Sequence, residues 1–240
     1  MVIAKNYQGK SPCKGLTVIE LLVSVVMGGV VLTAAASGFI NLLQANQDIE
    51  SKTIRHSGLI KALNYLQEDI KAAKSVTIEP AIVRGNCDSS AINSKHCLKL
   101  IYPNNTELRE GCVNNPTIYY GLQDISGDTP QIWLKPAILR RKIICDETQG
   151  NWIVVADGLL GKNEVNPVID IKENPFCKQD SVNWTGSLKV YGGMSDEKGG
   201  FRFCLHDDVN SQNRLVRIFL YGHITNGQPI KVSTIVFTRN

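Results

Sequence analysis

One acidic side chain, Glu20, stands inside an otherwise apolar stretch, and its surroundings decide what chemistry it can do. Before it come Lys5, Lys10 and Lys14, with no acid among residues 1–15, and then Gly15. After it, Leu21 through Gln47 is a run of 27 residues without a charge. At ~1.5 Å per residue that run reaches about 40 Å as a helix, against a hydrocarbon core of ~30 Å. A carboxylate at mid-membrane costs about 2.5–3.5 kcal/mol, and less near the interface, so Glu20 asks for a cationic partner. A secretory signal carries its small-residue cleavage site after the apolar region, whereas Gly15 precedes it, so a cut there would keep the helix. The chemistry on offer is charge pairing and peptide-bond processing.

Other reactive residue types are present without the spacing that catalysis needs. No Gly-x-Ser-x-Gly, His-Glu-x-x-His or phosphate-binding glycine loop occurs. The four histidines, His56, His96, His206 and His223, are scattered, and a surface or core role is the expected one for each. Asp207, Asp208 and Asn210 offer oxygen ligands, but their spacing matches no EF-hand loop and reads as a polar turn. Neither cofactor nor metal is therefore expected.

The elements that must position these residues follow from periodicity. Leu59, Ala62, Leu63, Leu66, Ile70 and Ala73 recur at steps of three and four, so the helix continues beyond the apolar run as an amphipathic rod that packs on a domain. It is expected to run from Leu16 to about Ser75, with Pro80 as its latest end. Gly28-Gly29 and Ser37-Gly38 are either points of local unwinding or places of close helix approach. From residue 81 the pattern changes to short β-like runs, at 98–102, 117–122, 131–134, 138–144, 152–156, 188–191, 201–205, 215–224 and 230–238. Asn226-Gly227 marks a hairpin between the last two, and residues 161–186 and 192–200 read as long loops. Arg140-Arg141-Lys142 puts charge on both faces of one strand, which suggests an edge strand blunted by charge.

The segment Gly15-Leu16-Thr17-Val18-Ile19-Glu20-Leu21-Leu22 resembles the prepilin processing motif of type IV pilins and type II secretion pseudopilins. The resemblance implies an α+β, type IV pilin-like fold, with a long N-terminal helix packed on an antiparallel β-sheet head. It also implies cleavage after Gly15 by a prepilin peptidase and methylation of Leu16, which stands where the family most often has Phe or Met. Glu20 is then the assembly acid, with Thr17 beside it. A new α-amine, with pKa about 7.7–8.0, would lie one helical turn from Glu20 or reach it from a neighbouring subunit. The expected organisation is a leader over residues 1–15, a transmembrane and assembly helix over 16–78, and a β-rich head over 79–240.

Leu139-Arg140-Arg141, Val155-Ala156-Asp157-Gly158 and Arg214-Leu215-Val216-Arg217-Ile218 are similar to segments of PulJ/PilW-type minor pilins and pseudopilins. That resemblance implies a low-copy minor subunit near a filament tip that helps start assembly. Its partners would be the peptidase, other minor and major pilins or pseudopilins, an inner-membrane assembly platform and membrane lipid. The head would lie in the periplasm of a bacterial cell before incorporation. Two alternatives stand beside this reading. One is a membrane-tethered binding or adhesion domain that never polymerises. The other is an uncleaved single-pass anchor, which leaves Gly15 and Glu20 without a role.

Removal of the leader also resolves charge and cysteine arithmetic. The formal charge of +4 falls to +1, with 23 basic and 22 acidic side chains, which gives no broad basic field for nucleic acid. Of seven cysteines, Cys13 leaves with the leader, and Cys87, Cys97, Cys112, Cys145, Cys177 and Cys204 remain. An even set outside the membrane reads as up to three disulfides, and separation along the chain favours Cys87 with Cys97, Cys112 with Cys145, and Cys177 with Cys204. A zinc site using His96 or His206 beside Cys97 or Cys204, and free buried thiols, are the competing readings.

Overall fold

The structure, a computed structural model, describes residues 17–104, 112, 114–127, 132–145, 148–163, 190–194, 198–205, 215–224 and 229–239. It divides into two compact units, Met1–Glu50 and Ser51–Asn240. Within the first, the described residues belong almost wholly to helix α1, which runs Val18–Ala72. Of the two readings of Gly28-Gly29 and Ser37-Gly38, local unwinding is not seen here: the helix is continuous through both pairs. The hydroxyls of its apolar stretch bond back to the helix. Ser24 Oγ donates to the Glu20 carbonyl at 2.7 Å, Thr33 Oγ1 to the Val30 carbonyl at 2.9 Å, and Ser37 Oγ to the Thr33 carbonyl at 2.9 Å. These bonds leave no hydroxyl between Ser24 and Ser37 in need of water, as a helix in lipid requires.

In the second unit the amphipathic part of α1 meets a sheet. Strands β1 (Ser75–Pro80), β2 (His96–Ile101), β3 (Thr117–Asp124), β4 (Ala137–Cys145), β5 (Thr148–Gln149), β6 (Ile153–Leu159), β7 (Val190–Gly192), β8 (Phe201–Leu205), β9 (Leu215–Gly222) and β10 (Ile230–Phe237) follow in chain order. They pair in the order β1-β2-β3-β4-β6-β9-β8-β7, with β10 on β9 and β5 on β4. Every pairing between these strands is antiparallel. The architecture is thus α+β and pilin-like, one long N-terminal helix followed by a curled antiparallel sheet.

The helix ends earlier than periodicity suggests. Ala73 N donates to the Asp69 and Ile70 carbonyls, and Lys74 N turns away to the Ile101 carbonyl at 2.8 Å. The β-branched run Val76-Thr77-Ile78 then forms β1 against β2, with Val76 opposite Leu100. The apolar run at 131–134 forms no strand either. Ile132 and Trp133 are exposed bends, and Leu134 gains only a single main-chain bond from β6 at Gly158, not a ladder.

The core lies between one face of α1 and the concave face of the sheet. Leu59, Ala62, Leu63, Leu66, Ile70 and Ala73 of α1 are buried against Leu98, Leu100, Ile118, Leu139, Phe203 and Ile218, among others. Each such leucine or isoleucine contributes about 1.5–3 kcal/mol by leaving water. Val216, Ile218 and Leu220 alternate inward on β9, and their antiparallel partner β10 places Ile230 opposite Gly222. The Asn226-Gly227 turn between them lies outside the described residues.

A smaller core covers the opposite face, built from Cys87, Ile92, Cys97, Tyr119 and Ile144 with Ala81 and Trp152 against it. Gly121 is required there, because a Cβ would come 2.6 Å from Ile92 Cδ1. Lys142 crosses this layer with its Nζ 5.7 Å from the Trp152 ring centre and 3.3 Å from the Asn86 carbonyl. Burial lowers its pKa, with Asp88 and Glu79 opposing the shift. Lys142 and Arg141 are therefore interior residues of a strand paired on both sides, by β3 and β6, and not the charged edge that their composition suggests.

Gly158 on β6 has φ of +62°, and a Cβ there would lie 1.6 Å from Arg55 Nη1. Gly158→Ala is expected to lower stability by about 1–3 kcal/mol through left-handed backbone strain plus displacement of Arg55. On an Arg55→Ala background only the backbone part should persist. Denaturant midpoints of the four variants in the cycle measure this.

Candidate functional site

The first turn of α1 carries the residues singled out by type and spacing. Thr17 occupies the N-cap position and Glu20 the third helical position, the arrangement of a capping box. Glu20 Oε2 accepts from Thr17 N at 3.0 Å and from Thr17 Oγ1 at 3.1 Å, and Glu20 N faces Thr17 Oγ1 at 3.4 Å. The sequence-derived acid and its neighbouring threonine are thus brought together, and the pairing starts the helix. Gly15 and Leu16 lie outside the described residues.

Beyond this turn, Val18, Ile19, Leu21, Leu22, Met27 and Phe39 are all more than half exposed, as are most of the large apolar side chains between them. The helix is long and apolar enough to cross a membrane, and the apolar window of it is not buried within the protein. Exposed area of this kind marks a surface made for lipid or for another apolar helix. The carboxylate of Glu20 sits at the start of that surface, in a position to pair with whatever cation is placed beside it.

The second half of the helix holds a polar site that the sequence reading passed over. Asp69 sits on the apolar stripe, between Leu66 and Ala73, and its carboxylate faces the sheet. Its Oδ2 accepts from Arg141 Nε at 2.8 Å and from the Tyr120 hydroxyl at 2.5 Å, while its main-chain carbonyl accepts from the Tyr102 hydroxyl at 2.7 Å. The Arg141 guanidinium also lies 5.3 Å from the Tyr65 ring centre. Burial, and after it the Asp69 carboxylate, push the Tyr120 phenol well above its ordinary pKa, so it remains a donor. Burial disfavours the charge on Arg141, but Tyr120 and Asp69 outweigh it and hold the guanidinium above its ordinary range. The signal was available: an acid in phase with the stripe, and an arginine in phase with Leu139 and Ile143.

The cysteines form a separate set of constraints. Cys87 is bonded to Cys97 and Cys112 to Cys145, with Cα–Cα distances of 5.9 and 5.8 Å. Cys204 is also disulfide-bonded, and Cys177 lies outside the described residues. The bond to Cys87 takes the Cys97 thiolate that a zinc site beside His96 would need. No group of three or more metal-ligating side chains occurs among the described residues. His206, Asp207, Asp208 and Asn210 fall outside them.

A family model described as the prokaryotic N-terminal methylation motif matches residues 10–36. No curated protein and no solved structure matches the chain. The match covers Lys10, Lys14, Gly15-Leu16 and the capped first turns of α1, and it supports a type IV pilin-like protein. A motif of this kind implies processing by a prepilin peptidase and assembly with other pilins, and it points to a structural subunit held in a membrane by its N-terminal helix.

Proposed function

We propose that the chain is a non-enzymatic minor subunit of a type IV pilus or type II secretion-like filament, placed near the tip and active in starting assembly. It is made as a precursor, held in the bacterial inner membrane with its head in the periplasm, cut after Gly15 and methylated on Leu16. Cleavage removes three lysines that tether the helix to the cytoplasmic side and creates the ammonium that Glu20 lacks. The subunit then leaves lipid by packing its helix against those of its neighbours, and it acts through protein contacts alone.

The observation that carries this reading is the capped first turn, in which Thr17 and Glu20 stand immediately after Gly15-Leu16 at the head of a 55-residue helix. Mass spectrometry of the chain isolated from membranes tests it. The expected N-terminal peptide begins at a methylated Leu16, and a chain still beginning at Met1 would overturn the proposal. Co-purification with minor pilins in stoichiometric amounts, and scarcity relative to a shaft subunit, support the placement near the tip. Equal abundance with the major subunit argues against it.

A further inference from the structure

Ile132, Trp133 and Leu134 form an apolar tip on the connection into β4, with relative exposures of 95, 42 and 50%. Such residues normally retract, yet this tip is held out by specific bonds. Leu134 N donates to Asp157 Oδ2 at 3.0 Å, and Gly158 N donates to the Leu134 carbonyl at 2.7 Å. Beside it runs a groove of about 470 Å³, walled by Ile54, Arg55 and Gly58 of α1, by Leu134 of the tip and by Val155 of β6. Ile54 is itself 61% exposed, so the patch is shared by helix and loop.

The charged residues that line the groove are unbalanced, although Asp48 and Glu50 precede Ile54 on the helix. Arg55 and Lys61 line the groove and Lys135 follows the tip, while the carboxylate among the lining residues, Asp157, already accepts from Leu134 N. Ile54 follows Gln47, the last residue of the uncharged run, by seven positions in the same helix. Tryptophan flanked by aliphatic side chains and cations is the combination that settles at a membrane interface.

We propose that the Ile132-Trp133-Leu134 tip, with Ile54, docks the head on the anionic surface of the bilayer that holds the helix, while the subunit awaits incorporation. The inference rests on the reading of the chain as a membrane-held, pilin-like subunit. Anionic lipid is chosen over a second copy of the chain because the apolar run of another subunit, Leu21 through Gln47, brings no acid to the three cations. Headgroup phosphates do. Docking of this kind keeps the apolar patch covered, and extraction of the subunit into a filament would release it.

The test uses the full chain in vesicles containing phosphatidylglycerol with brominated acyl chains, after alkaline washing to confirm that the helix spans. Bromolipid is expected to quench a tryptophan component that disappears in Trp133→Phe, while the disulfides of the variant remain intact on a non-reducing gel. The quenched fraction should fall at least twofold in zwitterionic vesicles. If the alkali-resistant chain shows the same quenching with Trp133→Phe, the docking proposal fails and the membrane-held reading survives. If alkali strips the chain from the vesicles, both fail. A photo-reactive residue in place of Ile132 gives an independent readout in cells: lipid adducts are expected, and an adduct to another filament subunit would overturn lipid as the occupant.

Discussion

Asp69→Ala is expected to destabilise the head by about 3–5 kcal/mol, the range for stranding one member of a buried ion pair. The Arg141 side chain is 2% exposed and would keep its charge with no carboxylate to face. The Tyr120 hydroxyl would lose its 2.5 Å acceptor at the same time. Arg141→Ala should cost a similar amount, since it leaves the Asp69 carboxylate in the same enclosure. Arg141→Lys should not rescue, because an ammonium cannot reproduce the placement of the Nε donor. The double variant Asp69→Leu with Arg141→Met is the discriminating measurement. Removing both charges and refilling the space should cost less than either alanine change alone, and often costs little. Denaturant unfolding of the detergent-solubilised chain, read by aromatic circular dichroism, measures all four. If the double variant proves as unstable as the sum of its parts, the pair is not a coupled unit.

Glu20→Ala is expected to leave membrane insertion intact and to reduce incorporation into filaments at least tenfold. Two roles of the side chain must be separated to read that result. As the third residue of a capping box it supports the helix start by accepting from Thr17 N, a role that glutamine also fills. As a charge it attracts an ammonium placed beside it, more strongly the less water surrounds the pair. Glu20→Gln therefore keeps most of the cap and discards the charge. The expectation is that it fails as completely as Glu20→Ala, and that Thr17→Ala, which weakens the cap alone, reduces incorporation only slightly. Comparing filament-associated with membrane-associated protein for the three variants checks this. Full incorporation of Glu20→Gln would show that the cap, and not the charge, is what assembly requires.

Much of this arrangement is legible in the residues because it rests on local patterns. The capping pair is four residues long, the apolar stripe repeats within a single helix, and β8 is bounded in the sequence at the positions the structure gives it, Phe201 and Leu205. What escaped detection depends on contacts between distant residues. Val76 falls three residues after Ala73, so helical periodicity alone runs on through Ser75, and only the Lys74 bond to Ile101 shows that the chain has turned into β1. Arg140-Arg141-Lys142 reads as a solvated edge because charge is usually solvated. Here Arg141 meets Asp69 from a helix 72 residues earlier, and Lys142 lies over Trp152. The run at 131–134 fails as a strand over its described residues, 132–134, for the opposite reason: it has the composition of a strand but makes only one main-chain bond to a neighbouring strand.

One side-chain contact spans most of the chain. Gln67 on α1 donates to Thr234 on β10, across 167 residues, and Arg239 N donates to the Lys71 carbonyl. An element synthesised early is closed over by one synthesised late, so the ribosome releases its first helix long before the surface that shelters it exists. Contacts of such range slow folding and lengthen the interval in which an unfinished chain is open to aggregation and proteolysis. A nascent chain stalled before β10 would lack the last strand of this cover, with Val232 and Val236, and would leave that end of the stripe open to chaperones or to proteases.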